Sequence, residues 1–172
     1  GYWALARTRL LRIGFLAIAS YVFYAASNPW FVILLAASTV TDYFAGLGMD
    51  AANRRDDRRT KKLLLGLSLG MNLGLLAVFK YANFFYESVV DVANLFGGEM
   101  VFERLDILLP AGISFYTFQT MSYSIDVFRR RLEPERSFLN FALFVGYFPQ
   151  LVAGPIVRAV DFLPQLHNRP RV

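Results

Sequence analysis

The chain has 172 residues, 56% of them hydrophobic and 16% aromatic, with charged residues held to 18%. The charges gather into short blocks between long apolar runs, which excludes an ordinary water-soluble domain and points to a membrane protein. A net charge of +5 does not indicate a nucleic-acid binder here, because the basic residues flank apolar spans instead of lining a soluble face interleaved with aromatics. There is no cysteine, so disulfides and thiolate metal sites are excluded, and a single histidine, His167, argues against a zinc centre.

The spacing predicts an all-α, multi-pass membrane bundle in one domain, residues 1–172, with about five membrane segments: 13–28, 31–49, 63–86, 107–128 and 138–157. The first follows Arg7, Arg9 and Arg12 and ends in Ala25, Ala26 and Ser27, a pattern shared with signal peptides. Further apolar spans follow at once, which favours a first transmembrane helix. In the second, Asp42 lies about half-way through the span, where a carboxylate costs on the order of 3 kcal/mol. It is therefore expected to face protein or water. In the third, Gly66, Gly70 and Gly74 recur every four residues and read as a close helix contact. Lys80, near the far end of that segment, is expected to snorkel to the headgroups, with an ion pair to Asp42 as the alternative.

The fourth segment places Gly112, Tyr116, Gln119, Tyr123 and Asp126 along one helical face, and Ser114, Phe118, Met121, Ile125 and Phe128 along another. The polar face suits either plain helix packing or the wall of a substrate cavity. Asp126 sits one turn from Arg129, Arg130 and Arg131, so a salt bridge to them is its simplest role. The fifth segment is interrupted by Gly146, Pro149, Gly154 and Pro155, and each proline removes a backbone donor, so a broken or re-entrant element is expected. Such an element would present Gln150, Arg158 and freed backbone carbonyls. His167, in a proline-flanked polar tail, reads as a surface histidine. Basic residues at the N-terminus, at 54–62 and at 129–136 alternate with an acidic stretch at 87–106, which places the N-terminus in the cytoplasm by the positive-inside rule.

Three blocks of sequence are specific: SNPWFVILLAASTVTDYFAG from Ser27, NLGLLAVFKYANFF from Asn72, and the stretch holding LPAGISFYTFQTMSYSIDVFRR and FLNFALFVGYFPQLVAGPIVRAVDFLPQL. Together they resemble the front part of the membrane-bound O-acyltransferase family, most closely its alginate O-acetyltransferase branch. The resemblance implies a multi-helix enzyme of the bacterial cytoplasmic membrane that takes an acyl group from a cytoplasmic thioester donor, acetyl-CoA or an acyl carrier. It would deliver that group to hydroxyls of an exported polysaccharide such as alginate, through periplasmic or extracellular partner proteins. No covalently bound cofactor and no nucleic acid is implied. The family's catalytic histidine, in a hydrophobic setting, and its Trp-Arg-Arg-Trp-His-like stretch lie further along than this sequence reaches. No catalytic residue is therefore expected in this chain, and it should be inactive alone. The matched positions Tyr116, Gln119, Tyr123, Gln150 and Arg158 are expected to line the cavity or substrate passage, with Asp42 and Asp126 as intramembrane polar groups. D-alanyl transfer to teichoic acid by a related protein, or a transporter or scaffold without chemistry, are the alternatives; no paired half-repeat supports a transporter.

Overall fold

The computed structural model describes residues 9–98, 101, 105, 110, 112–154 and 157–167. All regular structure among them is helical, in the order α1 (Arg9–Ser27), α2 (Pro29–Arg54), α3 (Arg58–Leu95), α4 (Ile113–Phe128), α5 (Phe138–Gly146), α6 (Phe148–Ala153) and α7 (Ala159–His167). Local chemistry sets the boundaries. Asn28 is extended and its side chain accepts the Trp30 amide at 3.0 Å, while Pro29, which has no amide to lose, opens α2. Asp57 caps α3 by accepting the amides of Arg59 and Thr60 at 3.1 and 3.0 Å. Gly112 enters α4 at φ +72°, a left-handed conformation that glycine adopts without strain.

Helices α2, α3 and α4 pack together as a three-helix core, with α1 laid against α5, α2 and α6, and α7 against α5 and α4. Leu35, Met49, Tyr116, Tyr123, Phe141 and Phe144 fill the centre. Outward faces are apolar: Leu10, Ile18 and Val22 on α1, and Leu63, Leu67, Val78 and Phe84 on α3, are exposed. Two helices, α2 and α3, are long and apolar enough to cross a membrane, and the stretches 10–26 and 138–151 are shorter apolar helices. At 38 residues, α3 runs about 57 Å, well beyond a hydrocarbon core of about 30 Å. The fourth segment is a helix of 16 residues; the positions 107–109 and 111 before it lie outside the described residues.

The basic segments meet at one end of the bundle. Arg130 donates to the Asn53 side chain at 3.2 Å, and Asp50 lies 3.0 Å from Arg54 and 3.4 Å from Arg136. The fifth segment is broken, after Gly146 and again after Ala153; Pro155 lies outside the described residues.

One sequence expectation on α3 is corrected, and one alternative falls. Gly66, Gly70 and Gly74 are exposed, and a Cβ at any of them would meet nothing within 4 Å among the described residues. The close contact is made by the opposite side of α3, through Ser68 and Asn72. The alternative ion pair between Lys80 and Asp42 is not formed: among the described residues the Lys80 ammonium donates to Ser114 at 3.1 Å, and Asp42 is served by hydroxyls and an amide instead.

Candidate functional site

A polar seam runs through the three-helix core, built from three pairs of residues spaced four apart: Ser38 and Asp42 on α2, Ser68 and Asn72 on α3, Thr120 and Ser124 on α4. That spacing stacks both members of each pair on one helix face. All six side chains are buried. The Asp42 carboxylate accepts the Ser68 hydroxyl at 2.5 Å, the Asn72 amide at 2.8 Å and the Ser38 hydroxyl at 3.4 Å. The Asn72 carbonyl oxygen in turn accepts Ser38 at 2.8 Å and Thr120 at 3.1 Å, and Ser68 and Ser124 share a hydrogen bond of 2.7 Å. A carboxylate at bilayer depth is thus met by three donors, which is how a buried charge becomes tolerable without a cation beside it.

The second group forms around the break in the fifth segment. In an uninterrupted helix the Phe144 carbonyl would receive the Phe148 amide, and the Val145 carbonyl the amide of residue 149. Residue 149 is proline, and the Phe148 amide donates to Ser20 of α1 at 3.4 Å. The Phe144 carbonyl left over is taken by the Gln119 amide at 2.6 Å. Gln119 then uses its own oxygen to accept the Gln150 amide at 3.2 Å, with both glutamines buried. Two residues 31 positions apart in sequence therefore complete each other across the break.

Tyr116 and Tyr123 lie on the same face of α4 as Gln119, wholly buried. Tyr116 packs in the same core cluster as Tyr24 of α1. The Tyr123 hydroxyl accepts the Glu135 amide at 3.2 Å, and its ring packs on Phe141 with centroids 4.7 Å apart. Gly46 makes room for it, since a Cβ there would stand 2.7 Å from the Tyr123 hydroxyl.

Asp126 differs from its simplest sequence reading. Its partner is not the adjacent arginine run but Arg158, whose Nη2 donates to both carboxylate oxygens at 3.0 and 2.7 Å. The cause is the fold of the chain after α6, which carries the start of α7 back onto the end of α4. Arg129 closes the end of α4 through its backbone and Arg130 turns away to Asn53, leaving the carboxylate to Arg158. His167 is half-exposed as expected of a surface residue, yet its Nε2 lies 2.7 Å from Oε2 of the buried Glu135. Glu135 also accepts the Ser137 amide at 2.9 Å.

The structure thus joins Gln119 to Gln150 and Asp126 to Arg158, sets Tyr116 and Tyr123 beside them on α4, and keeps Asp42 in the separate seam. Sequence reasoning missed the partners of Asp42, although the three spaced pairs were a readable signal, and missed the Glu135–His167 contact, for which no local signal exists. Among the described residues, no group of three His, Asp or Glu side chains is placed to hold a metal ion.

No protein-family model matches the chain, and no solved structure matches it. Curated relatives do. The chain is 43% identical over 154 residues to "Probable alginate O-acetylase AlgI" of Pseudomonas putida, covering 90% of this chain and 31% of that protein. The chain belongs to the membrane-bound O-acyltransferase family, on its alginate O-acetylase branch. The acyltransferase kinship extends to the protein of the same description in Azotobacter vinelandii, 44% identical over 90% of this chain and 30% of that protein. It reaches further to "Peptidoglycan O-acetyltransferase" of Helicobacter pylori, 34% identical over 98% of this chain and 36% of that protein. The chain therefore spans about three tenths of the length of the alginate O-acetylases it matches.

Proposed function

We propose that this chain forms the front part of a bacterial membrane O-acyltransferase that moves an acetyl group from a cytoplasmic thioester to hydroxyls of an exported polysaccharide, alginate or one like it. The observation that carries the reading is the 43% identity to an alginate O-acetylase over 90% of the chain, which includes the broken fifth segment and the polar groups closing it. In this reading the basic end of the bundle faces the cytoplasm, where a thioester donor such as acetyl-CoA or an acyl carrier arrives. Tyr116, Gln119, Tyr123, Gln150 and Arg158 belong to the wall of the passage between donor and acceptor. Their task is placement: transfer of an acyl group requires the attacking hydroxyl and the thioester carbonyl to meet in a dry, defined geometry. The base that removes the hydroxyl proton is supplied by a histidine beyond this chain. His167 does not take that role, because it stands half-exposed and not in the hydrophobic setting of the family's catalytic histidine.

D-alanyl transfer to teichoic acid is a second chemistry open to the same family, and the test separates the two. The intact gene carrying this sequence would be deleted and restored in its own host, and acetyl and D-alanyl esters on the exported polymers measured. Loss and recovery of polysaccharide O-acetyl groups supports the proposal; loss of D-alanyl esters with acetylation intact replaces it. Acyl transfer by residues 1–172 expressed alone would overturn the assignment of the base to a later segment.

A further inference from the structure

We infer that the groove between the α2–α3 turn and the end of α4 is a binding site for the phosphate headgroup of an anionic membrane phospholipid. The groove has a volume of about 400 Å³. Four cations line it, Arg58, Lys61, Lys62 and Arg130, against two carboxylates, Asp56 and Asp57. Asp57 is already occupied. One oxygen accepts the amides of Arg59 and Thr60, and the other accepts the Thr60 hydroxyl at 2.6 Å. The neighbouring Asp50 is engaged outside the groove by Arg54 and Arg136. Both groove carboxylates keep their charge, so four cations against two carboxylates leave a net charge of +2 within it.

Those cations are held against their own repulsion. Arg130 is anchored by two bonds to Asn53, at 3.2 Å to its side chain and 3.3 Å to its carbonyl, which spend only part of the five donors of a guanidinium. Lys61 is half-buried with its ammonium 4.5 Å above the Phe128 ring. Burial, together with Arg130 and Arg58 nearby, pushes that ammonium below the usual lysine range, and only Asp56 acts the other way. A phosphate between Lys61, Arg58 and Arg130 would relieve this crowding and accept their unused donors.

The surroundings select a lipid over a soluble anion. Lys62 begins the outward stripe of α3 that continues as Leu63 and Leu67, which are 68% and 59% exposed. Gly66, Gly70 and Gly74 follow Lys62 at steps of four along α3, exposed and with no described residue within 4 Å of where their Cβ atoms would stand, so a furrow of bare backbone between leucines would lead away from the basic groove. A headgroup in the groove would have its acyl chains beside this furrow, so charge and apolar surface are offered in the order a phospholipid presents them. Basic residues at the end of a membrane helix attract anionic lipid in general; here a concave site with an aromatic floor adds a defined seat. The inference stands apart from the acyl-transfer reading and does not need it.

The test uses the full-length protein in mild detergent, with phosphatidylglycerol or phosphatidylcholine added and retained lipid counted by native mass spectrometry. The expected result is preferential retention of phosphatidylglycerol, weakened roughly 25-fold in Lys61→Gln/Arg130→Gln, since each cation near an anionic surface contributes roughly fivefold. An Arg54→Gln/Arg131→Gln control removes equal charge outside the groove and should weaken retention much less. Equal loss in both pairs, or no preference for phosphatidylglycerol in the native protein, overturns the site. Displacement of the lipid by millimolar coenzyme A or inorganic phosphate also overturns it, by assigning the groove to a soluble phosphate.

Discussion

Replacing Gln119 by leucine tests whether the broken segment is held by the hydrogen bonds described. The substitution keeps the volume roughly constant and removes both functions of the amide, leaving the Phe144 carbonyl and the Gln150 amide without partners. Soluble-protein values assign about 1–3 kcal/mol to each buried polar group so orphaned. Hydrogen bonds between membrane helices measure less, averaging about 0.6 and reaching about 1.7 kcal/mol. The Gln150 amide belongs to a helix of six residues that can turn towards other acceptors, whereas the Phe144 carbonyl is fixed in the backbone, so the membrane figures apply to the first and the larger ones to the second. The sum is about 1.6–4.7 kcal/mol, which multiplies local opening around residues 144–151 by roughly 15 to 2,500. Hydrogen exchange on the full-length protein should rise by that factor in this segment and stay unchanged in α2 and α3. Polysaccharide acetylation should fall severalfold while the amount of protein in the membrane holds, because leucine enters the bilayer more readily than glutamine. Unchanged exchange at 144–151 would refute the account of the break, and unchanged acetylation would remove Gln119 from the passage.

At Asp42, asparagine keeps an acceptor for Ser68 but turns its own amide donor towards that of Asn72, at a cost of about 1 kcal/mol, while leucine should destabilise the folded bundle by about 2 kcal/mol by removing the acceptor from both Ser68 and Asn72, which keep only their bonds to Ser124 and to the Ser68 carbonyl. Thermal unfolding in detergent distinguishes them, and equal stability of the two variants would contradict the seam. Arg158→Leu should cost about 1–2 kcal/mol, discounted because the guanidinium is 56% exposed, and more than Asp126→Asn, since only the former strands a buried carboxylate. The reverse order of melting temperatures would show that Arg158 does not hold Asp126. Bonds from the Thr60 hydroxyl and amide lower the Asp57 pKa, so its contribution to α3 is fully present above the ordinary carboxylate value of about 3.9 and is lost as pH falls through the lower folded value. Protection of the Arg59 and Thr60 amides, relative to the intrinsic exchange rate at each pH, should therefore fall in strong acid and should be low at neutral pH in Asp57→Ala; high protection in that variant would contradict the cap.

Helical class, the basic ends and the interruption of the fifth segment were legible because each rests on a property of neighbouring residues: apolar length, charge order, or a proline's missing amide. Asp42 was recognisable as needing partners, but their identity was not, because two of its three donors come from another helix and only tertiary packing selects them. The glycine repeat on α3 shows the limit of a local rule. Small residues every four positions permit a close helix contact but do not require one, and here the opposite face, with Ser68 and Asn72, had more to gain from burial. The Asp126 partner was misjudged for a related reason. Arg129 to Arg131 are near in sequence, yet α4 ends between them and the carboxylate, and the chain returns Arg158 from 32 positions away.

The seam also constrains how the chain enters its membrane. Alone in lipid, α2 would carry Asp42 unsolvated, but the turn at 55–57 folds α3 back beside it, and Ser68 and Asn72 already supply two of the carboxylate's three donors. The pair can thus leave the insertion machinery as a hairpin whose carboxylate already has all three of its donors, Ser38 included, before α4 has been synthesised. Thr120 and Ser124 then dock onto polar groups displayed by that hairpin, which makes α2 and α3 a template for α4 and ties the order of biogenesis to the order of the sequence.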